Sequence, residues 1–580
     1  MLSWLANVGT FSECRKFASV TMIRPLLEHF RLRLGHADAL APLALLGLLS
    51  GTAAGGLLLG FRFVVECILG ATLPGGDAEG FEQLDVGVRF ALPVAGSILI
   101  ALLFAALGAQ HSFGGVVHVM ERLAYHQGHM PWRNALAQAA GACISLCSGH
   151  SLGREGPGVH LGSAAGSWIG SGLGVPNNSM RTLIACGTAA SIAASFNTPI
   201  AGVIFAMEVV MMEYTIVGFT PVMLAAAVAA WMSRAAYGTE AAFVVPSTNL
   251  NSLLELPWLI VVGGVIGLLA AAFVRGTARL QRAVRTWSVH WRFVLAGTIT
   301  GAVAVIVPQV MGLGYDTVET LLQPQVAVQL ALMVLAGKFL ASVACVGLGL
   351  PAGLIAPTLF IGAAAGAALG VLGQMFAPGM GADSGFYAIL GMTAMMGACL
   401  QAPLAALMAA LELTANVNII LPCMVCLVSA VLVSRAVCKA DPVFVALLRV
   451  RGADYLTDPV ALSLSRSAIT TRMSAAYIAM SGPAPELLES WRTFHTGRAE
   501  WFLVGESVEN MKVFSAHPLL DDANDDSSQL PELEYAHISA RATVQEAREK
   551  MGVSGADILL VRRPNGGVCG IVNSTMLGVV

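Results

Sequence analysis

The chain has 580 residues, 56% of them hydrophobic and only 12% charged, with a mean hydropathy of +0.73. That balance excludes an ordinary soluble domain and describes a polytopic membrane protein. A net charge of −3 is too small to imply a nucleic-acid partner.

The start, Met1 to Arg33, mixes Lys and Arg with apolar residues and lacks a compact signal-peptide pattern, so it reads as an amphipathic interfacial segment. Uncharged runs follow at Leu40–Phe61, Thr182–Met207, Tyr214–Ser233, Phe339–Ala382, Ser384–Leu411 and Leu413–Ser434, each long enough to span a bilayer. Internal Gly and Pro within them predict broken or re-entrant helices that face protein or water. The 11 cysteines lie mostly singly in apolar runs, and Cys423 and Cys426 have neither a second pair nor a nearby His, so no zinc site is expected. Arg15, Lys16, Arg24, Arg31 and Arg33 precede the first span, and Arg435, Lys439, Arg449 and Arg451 follow the last. By the positive-inside rule both ends are expected in the cytoplasm.

The stretch Ser151-Leu152-Gly153-Arg154-Glu155-Gly156-Pro157 sets an Arg and a Glu among glycines, and Val159–Trp168 reads as a buried helix starting near Pro157. Free N–H groups and partial positive charge at such a start make an anion site with a carboxylate at its mouth. Shifting the chain by 200 residues lays Pro157, Gly162, Ala164, Ala165, Gly166 and Gly170 on Pro357, Gly362, Ala364, Ala365, Gly366 and Gly370. At an offset of 204, Gly187, Ala190, Ala194, Pro199, Ala201 and Glu208 meet Gly391, Ala394, Ala398, Pro403, Ala405 and Glu412. The chain thus reads as two halves, about 37–240 and 250–440, interrupted at equivalent places, Gly153–Pro157 and Gly349–Pro357. Duplicated halves with broken helices are the mark of transport folds. If they are inverted, two helix starts point at one midplane site, which suits a monovalent anion that must also leave.

Residues 453–580 carry 16 acidic and 10 basic side chains and read as a soluble domain. In His537–Val580 we expect an amphipathic helix at Ala542–Met551, a buried strand from Asp557, a turn at Pro564 and a returning strand at Val568–Val572. Ser465–Val504 repeats this more loosely, with a helix at Ala484–Phe494 and a strand at Ala499–Val504. Leu519–Leu533 is the linker between the two.

With Gly153–Pro157, Gly353-Leu354-Ile355-Ala356-Pro357 and the duplication, the chain resembles the CLC family of chloride channels and chloride/proton exchangers, and its tail looks like a pair of CBS modules. The resemblance implies a homodimer with one anion pathway per subunit and makes Glu155 the gating glutamate. It implies an anion-binding set of Gly114, Gly115, Arg154, Gly156, Gly353, Leu354, Ile355 and Phe444. This chain also departs from the family's pattern. Counting back from Glu155 through Trp132 and Arg133 lays the family's GSGIP motif on Phe113–Val117, so Gly114 stands at its serine. Phe444 stands at the pore tyrosine, and Ile355 at the aromatic position of GxFxP. Backbone amides near Gly115, Leu354 and Ile355 are then expected to carry more of the anion's coordination. Val209 stands at the internal glutamate of proton-coupled members, so no proton relay is expected and an uncoupled channel is favoured. Glu213, one helical turn away, is the candidate substitute relay, but it reads first as a helix cap near the water interface.

Other readings compete. Gly149-His150-Ser151-Leu152-Gly153 fits a G-x-S-x-G nucleophile elbow, but it follows a small-residue helix, Ala135–Cys147, instead of a strand, which leaves an intramembrane hydrolase remote. His150, Glu155 and His160 lie five residues apart and share no helix face, so they make no metal site. His111 and His118 read as packed or interfacial. Glu208 and Glu412 read as ends of equivalent spans near the cytoplasmic side or a subunit interface, and the Met-rich stretches as packing. Met576 replaces the ribose-holding Asp of CBS modules, so structural or dimerising use is favoured there over an adenine nucleotide.

The expectation is an all-α polytopic membrane protein of two inverted repeats with broken helices and a small α/β cytoplasmic domain. Its divisions are 1–36, an amphipathic segment; 37–452, the membrane domain; and 453–580, the CBS-like pair. It needs no cofactor, is not an enzyme, and moves small monovalent anions, chloride foremost, as a homodimer in the cell (inner) membrane and its lipid. The leading expectation is a Glu155-gated, uncoupled channel; the alternative is a proton-coupled chloride antiporter.

Overall fold

A computed structural model describes residues 30–31, 33–34, 39–76, 79–112, 114–239, 243, 255–324, 326–351, 353–376, 382–455, 459–480, 500–505, 511–515, 532–564 and 566–578. They fall into two compact units: Leu43–Gly172 with Arg181–Tyr455, and Met1–Pro42 with Leu173–Met180 and Leu456–Val580. The first is helical throughout. Its helices are α1 (Leu40–Thr72), α2 (Val86–Leu107), α3 (Gly115–Tyr125), α4 (Trp132–Cys147), α5 (Glu155–Leu173), α6 (Asn177–Phe196), α7 (Pro199–Phe205) and α8 (Ile216–Tyr237). There follow α9 (Leu256–Ala283), α10 (Val289–Ile306), α11 (Tyr315–Leu321), α12 (Val328–Leu348), α13 (Ile355–Phe376), α14 (Ser384–Leu400), α15 (Pro403–Thr414), α16 (Ile420–Leu432) and α17 (Val443–Val450). Among the described residues, eight helices are long and apolar enough to cross a bilayer. Large apolar side chains such as Leu102, Trp231 and Trp291 are exposed on them, which fits a hydrocarbon solvent.

The two halves repeat their backbone contacts. A Cβ added to Gly187 would lie 1.9 Å from the Gly162 carbonyl oxygen, and one added to Gly391 would lie 2.1 Å from that of Gly362. Both α5–α6 and α13–α14 therefore pack backbone on backbone, where only glycine fits. The shift of offset from 200 to 204 falls in the longer connection between α13 and α14.

Glu208 and Glu412 do more than end their spans. Glu208, in the π-helical turn Ala206–Met211, accepts from the amides of Leu404 (3.3 Å) and Ala405 (2.8 Å) at the start of α15. Glu412, on α15, accepts from those of Ile200 (3.0 Å) and Ala201 (2.8 Å) at the start of α7. Each copy caps the other's helix, satisfying N–H groups that a helix start leaves unpaired.

In the second unit, strands β1 (Tyr477–Met480), β2 (Trp501–Val504) and β3 (Lys512–Ser515) form one sheet, and β4 (Tyr535–Ser539), β5 (Ile558–Arg562) and β6 (Val568–Asn573) another. Each has the same pattern, its first two strands parallel and its last two antiparallel. Helix α18 (Pro459–Ser465) precedes them. Helix α19 (Val544–Ser554) starts at a capping box of Thr543 and Glu546 and stops at Gly555, in a left-handed conformation. Most of Met1–Arg33, the expected helix Ala484–Phe494 and the linker up to Pro531 lie outside the described residues.

Candidate functional site

The loop from Ser148 to Arg154 is fixed by short hydroxyl contacts. The buried His150 ring lies between the Ser97 hydroxyl (2.8 Å from Nε2) and that of Ser148 (2.9 Å from Nδ1). The Ser151 hydroxyl pairs with that of Ser342 on α12 (3.0 Å), which also reaches the Ser151 carbonyl (3.1 Å). Ser151 thus lacks a histidine base and has the surroundings of a structural serine, not of a nucleophile. On the other copy, α12 ends at Gly349, with φ +85°, and the chain turns back into α13.

The two turns meet. Gly153 N–H donates to the Gly353 carbonyl (2.8 Å) and Gly353 N–H to the Gly153 carbonyl (2.6 Å), an antiparallel bridge between residues 200 apart. Immediately after it the starts of α5 and α13 stand tip to tip. Glu155, the first residue of α5, is 0% exposed, and its carboxylate lies against this bridge. A Cβ on Gly153 would come within 1.9 Å of Glu155 Oε2, and one on Gly353 within 2.6 Å. Both glycines are therefore needed for the carboxylate to occupy this place. The Glu155 and Ala356 amides and the Tyr315 hydroxyl lie within its electrostatic reach, yet neither oxygen completes a well-formed hydrogen bond.

On one side of Glu155 is a narrow cavity of about 60 Å³. Gly114, Gly115, Gly156, Gly353, Leu354, Ile355 and Phe444 all line it. It collects the starts of four helices, at Gly115 on α3, Gly156 on α5, Ile355 on α13 and Phe444 on α17. Aligned amides at four starts, together with Arg451 on the lining, make it electropositive. Arg154 is not in this group. It lines a separate cavity of about 180 Å³ with Arg62, Glu66, Glu79 and Tyr315. There its guanidinium donates to the Ser195 carbonyl (2.7 Å) and lies 3.9 Å from Glu66. The two chain neighbours of Glu155, Arg154 and Gly156, thus line different cavities.

Several residues here escaped the sequence reading. A Cβ on Gly114 would meet Gln138 Oε1 at 2.0 Å, so Gln138 fills the space a serine at position 114 would need. Gln138 Nε2 donates to the His111 carbonyl (2.6 Å), and the residue lines the narrow cavity, as does Arg451. Lys338 is 0% exposed; its ammonium donates to the carbonyls of Val310 (3.1 Å), Gly312 (3.0 Å) and Leu313 (3.4 Å) and lies 4.5 Å from the Phe360 ring centre. Val209 is buried in the π-helical turn. The N-cap of α8 is Thr215, whose hydroxyl accepts from the Gly218 amide. His118 and His160 are buried edge to face, 5.1 Å apart. Phe113 lies outside the described residues.

A family model described as Voltage gated chloride channel matches residues 96–435. The putative chloride channel protein ClcB-like of Ralstonia nicotianae is 31% identical over 368 residues, covering 60% of this chain and 82% of that protein. The H(+)/Cl(-) exchange transporter ClcA of Vibrio vulnificus is 29% identical over 326 residues, 55% of this chain and 70% of that one. Among solved structures, a slow cyanobacterial Cl-/H+ antiporter superimposes with a TM-score of 0.62 at 23% identity, covering 70% of this chain and 97% of its own. A eukaryotic CLC transporter does so with a TM-score of 0.62 at 18% identity, covering 95% and 98%. These two establish the fold. With the family match running from within α2 to just past α16, over more than half of the residues, the chain belongs to the voltage gated chloride channel (CLC) family.

Proposed function

We propose that this multi-pass membrane protein exchanges chloride for protons, and that the two ions compete at Glu155. The observation that carries the reading is the Glu155 carboxylate, wholly buried against the Gly153–Gly353 bridge, with its neighbours Gly156 and Arg154 lining two different cavities. An ionised carboxylate there acts as a tethered anion, held by the same helix starts that would hold chloride. When an oxygen of Glu155 takes a proton from the Arg154 side, an O–H bond forms and the charge is lost. The attraction to the amides falls, the side chain leaves, and a chloride takes its place. Proton release toward the narrow cavity restores the carboxylate, which displaces the ion. Alternation between one bound anion and one bound proton is the minimum that coupling requires. The named activity of the Vibrio relative supports exchange over a simple pore.

In this reading chloride meets the amides of Gly115, Gly156, Leu354 and Ile355, with Gly114, Gly353 and Phe444 shaping the wall. Arg154 draws anions into the wider cavity. The uncoupled channel is the second reading, favoured by one observation: buried Val209 offers no carboxyl group where coupled members carry their internal glutamate. Exchange therefore requires that the proton cross the narrow cavity without that side chain. The chain works as a homodimer with one path per subunit, in a cell (inner) membrane with both ends cytoplasmic. The tail serves as a CBS-like pair for structure or dimerisation, with adenine nucleotide as the lesser alternative.

Purified protein in liposomes decides between the two readings. An imposed chloride gradient should drive protons against their own gradient, and Glu155→Ala should keep chloride flux while losing proton movement and pH dependence. Chloride flux without proton movement in the unmodified protein would establish the channel instead.

A further inference from the structure

A hydroxyl beside Glu155 has no role in the scheme above. Tyr315 opens α11, its ring packed edge to face on Phe243 at 5.7 Å and 5.7 Å from the Arg154 guanidinium. Its buried hydroxyl is within hydrogen-bonding range of the Glu155 carboxylate, although neither group closes a well-formed bond there. A buried donor thus lies beside a buried acceptor, and either one left unpaired is costly. Three contacts hold the tyrosine in place. The Asp316 amide donates to Glu79 Oε2 (3.0 Å), Lys338 clamps the carbonyls of Val310, Gly312 and Leu313, and Gly314 takes a left-handed φ of +74° against the Phe360 ring. Such support is what a positioning residue needs if it is to hold one rotamer.

We propose that the Tyr315 hydroxyl is the latch of Glu155: it donates to the ionised carboxylate in the shut state and loses that acceptor when Glu155 is protonated. This rests on Glu155 being the gate. It also assigns a side-chain hydroxyl to the side of the gate opposite Gly114 and Phe444, the two positions that lack one. Arg154, Arg62 and Glu79 act on Tyr315 directly. Glu66 lies on Arg154, with Asp316 and Lys338 behind Glu79. Glu79 sits in the loop between α1 and α2, and its carboxyl is held up to about 7, chiefly by burial and also by the Asp316 charge. It is therefore a second titrating group that the test must separate.

The test is chloride efflux from liposomes carrying the full chain, measured against pH, with Tyr315→Phe, which keeps the ring. A hydroxyl that favours the ionised carboxylate delays its protonation, so removing it should move half-maximal flux to higher pH by about one unit. The shift should persist in a Glu79→Gln background and be absent in Glu155→Ala. A folded Tyr315→Phe protein with an unmoved midpoint would overturn the latch, as would a shift that survives Glu155→Ala or vanishes in Glu79→Gln. If Glu155→Ala alone leaves the pH dependence intact, the gate itself is wrong. If it removes that dependence while Tyr315→Phe does nothing, only the latch fails.

Discussion

Residues 153–157 and 353–357 share a backbone and differ in chemistry. Each has a glycine in the bridge, a proline three residues into its helix and a helix start aimed at the same point. Yet Arg154 and Glu155 in one copy stand where Leu354 and Ile355 stand in the other, at 5% and 4% exposure. Duplication doubles the field of the amides at no cost in buried charge. A second carboxylate opposite Glu155 would repel the first, and one of the two would stay protonated. One tip therefore carries the titratable group and the other supplies only backbone and an apolar wall.

The largest expected effect tests whether the two copies are equivalent in their packing. Gly187→Val and Gly391→Val each force a side chain into a carbonyl about 2 Å away. Both should lose the monodisperse peak on size exclusion in detergent, and tolerance of either alone would break the equivalence. A smaller effect sharpens the difference between the tips. Gly114→Ser should collide with Gln138 and cut chloride flux about tenfold or more, while Gly114→Ser with Gln138→Ala should recover most of it. Additive losses in the double variant would show that Gln138 is not what excludes the serine. The smallest concerns the exchanged caps, where Glu208→Ala and Glu412→Ala should each cost about 1–2 kcal/mol in denaturant unfolding. Unequal costs would mean that one helix start has another partner.

What could be read in advance follows the range of the interactions. The loop at Gly153–Pro157 and the two offsets were visible because glycine, proline and glutamate recur at fixed spacing where backbones must touch. Gly162 with Gly187 and Gly362 with Gly391 are the contacts behind that spacing. The partners of Glu208 and Glu412 were not visible, since each reaches a helix about 200 residues away, and nothing beside Glu208 announces α15. Gln138 and Tyr315 were missed for the same reason: an amide on a small-residue helix and a tyrosine after a glycine look ordinary until α4 meets Gly114 and α11 meets Glu155. The absent serine at position 114 was legible, but the side chain that excludes it was not. The resemblance puts Arg154 in the anion-binding set, but the sequence does not say which cavity it borders. Neighbouring residues at a helix start point in different directions, and here Arg154 and Gly156 line different cavities.

The reciprocal hydrogen bonds between Gly153 and Gly353 limit how the machine can move. Carriers that open to alternate sides by rocking one half against the other need a seam that slides or parts at the midplane. Here two main-chain hydrogen bonds, at 2.8 and 2.6 Å, tie the halves together, and rocking would have to break both. Under the proposed function, opening and closing are therefore expected to come from the swing of the Glu155 side chain within a fixed frame, not from reorientation of the halves.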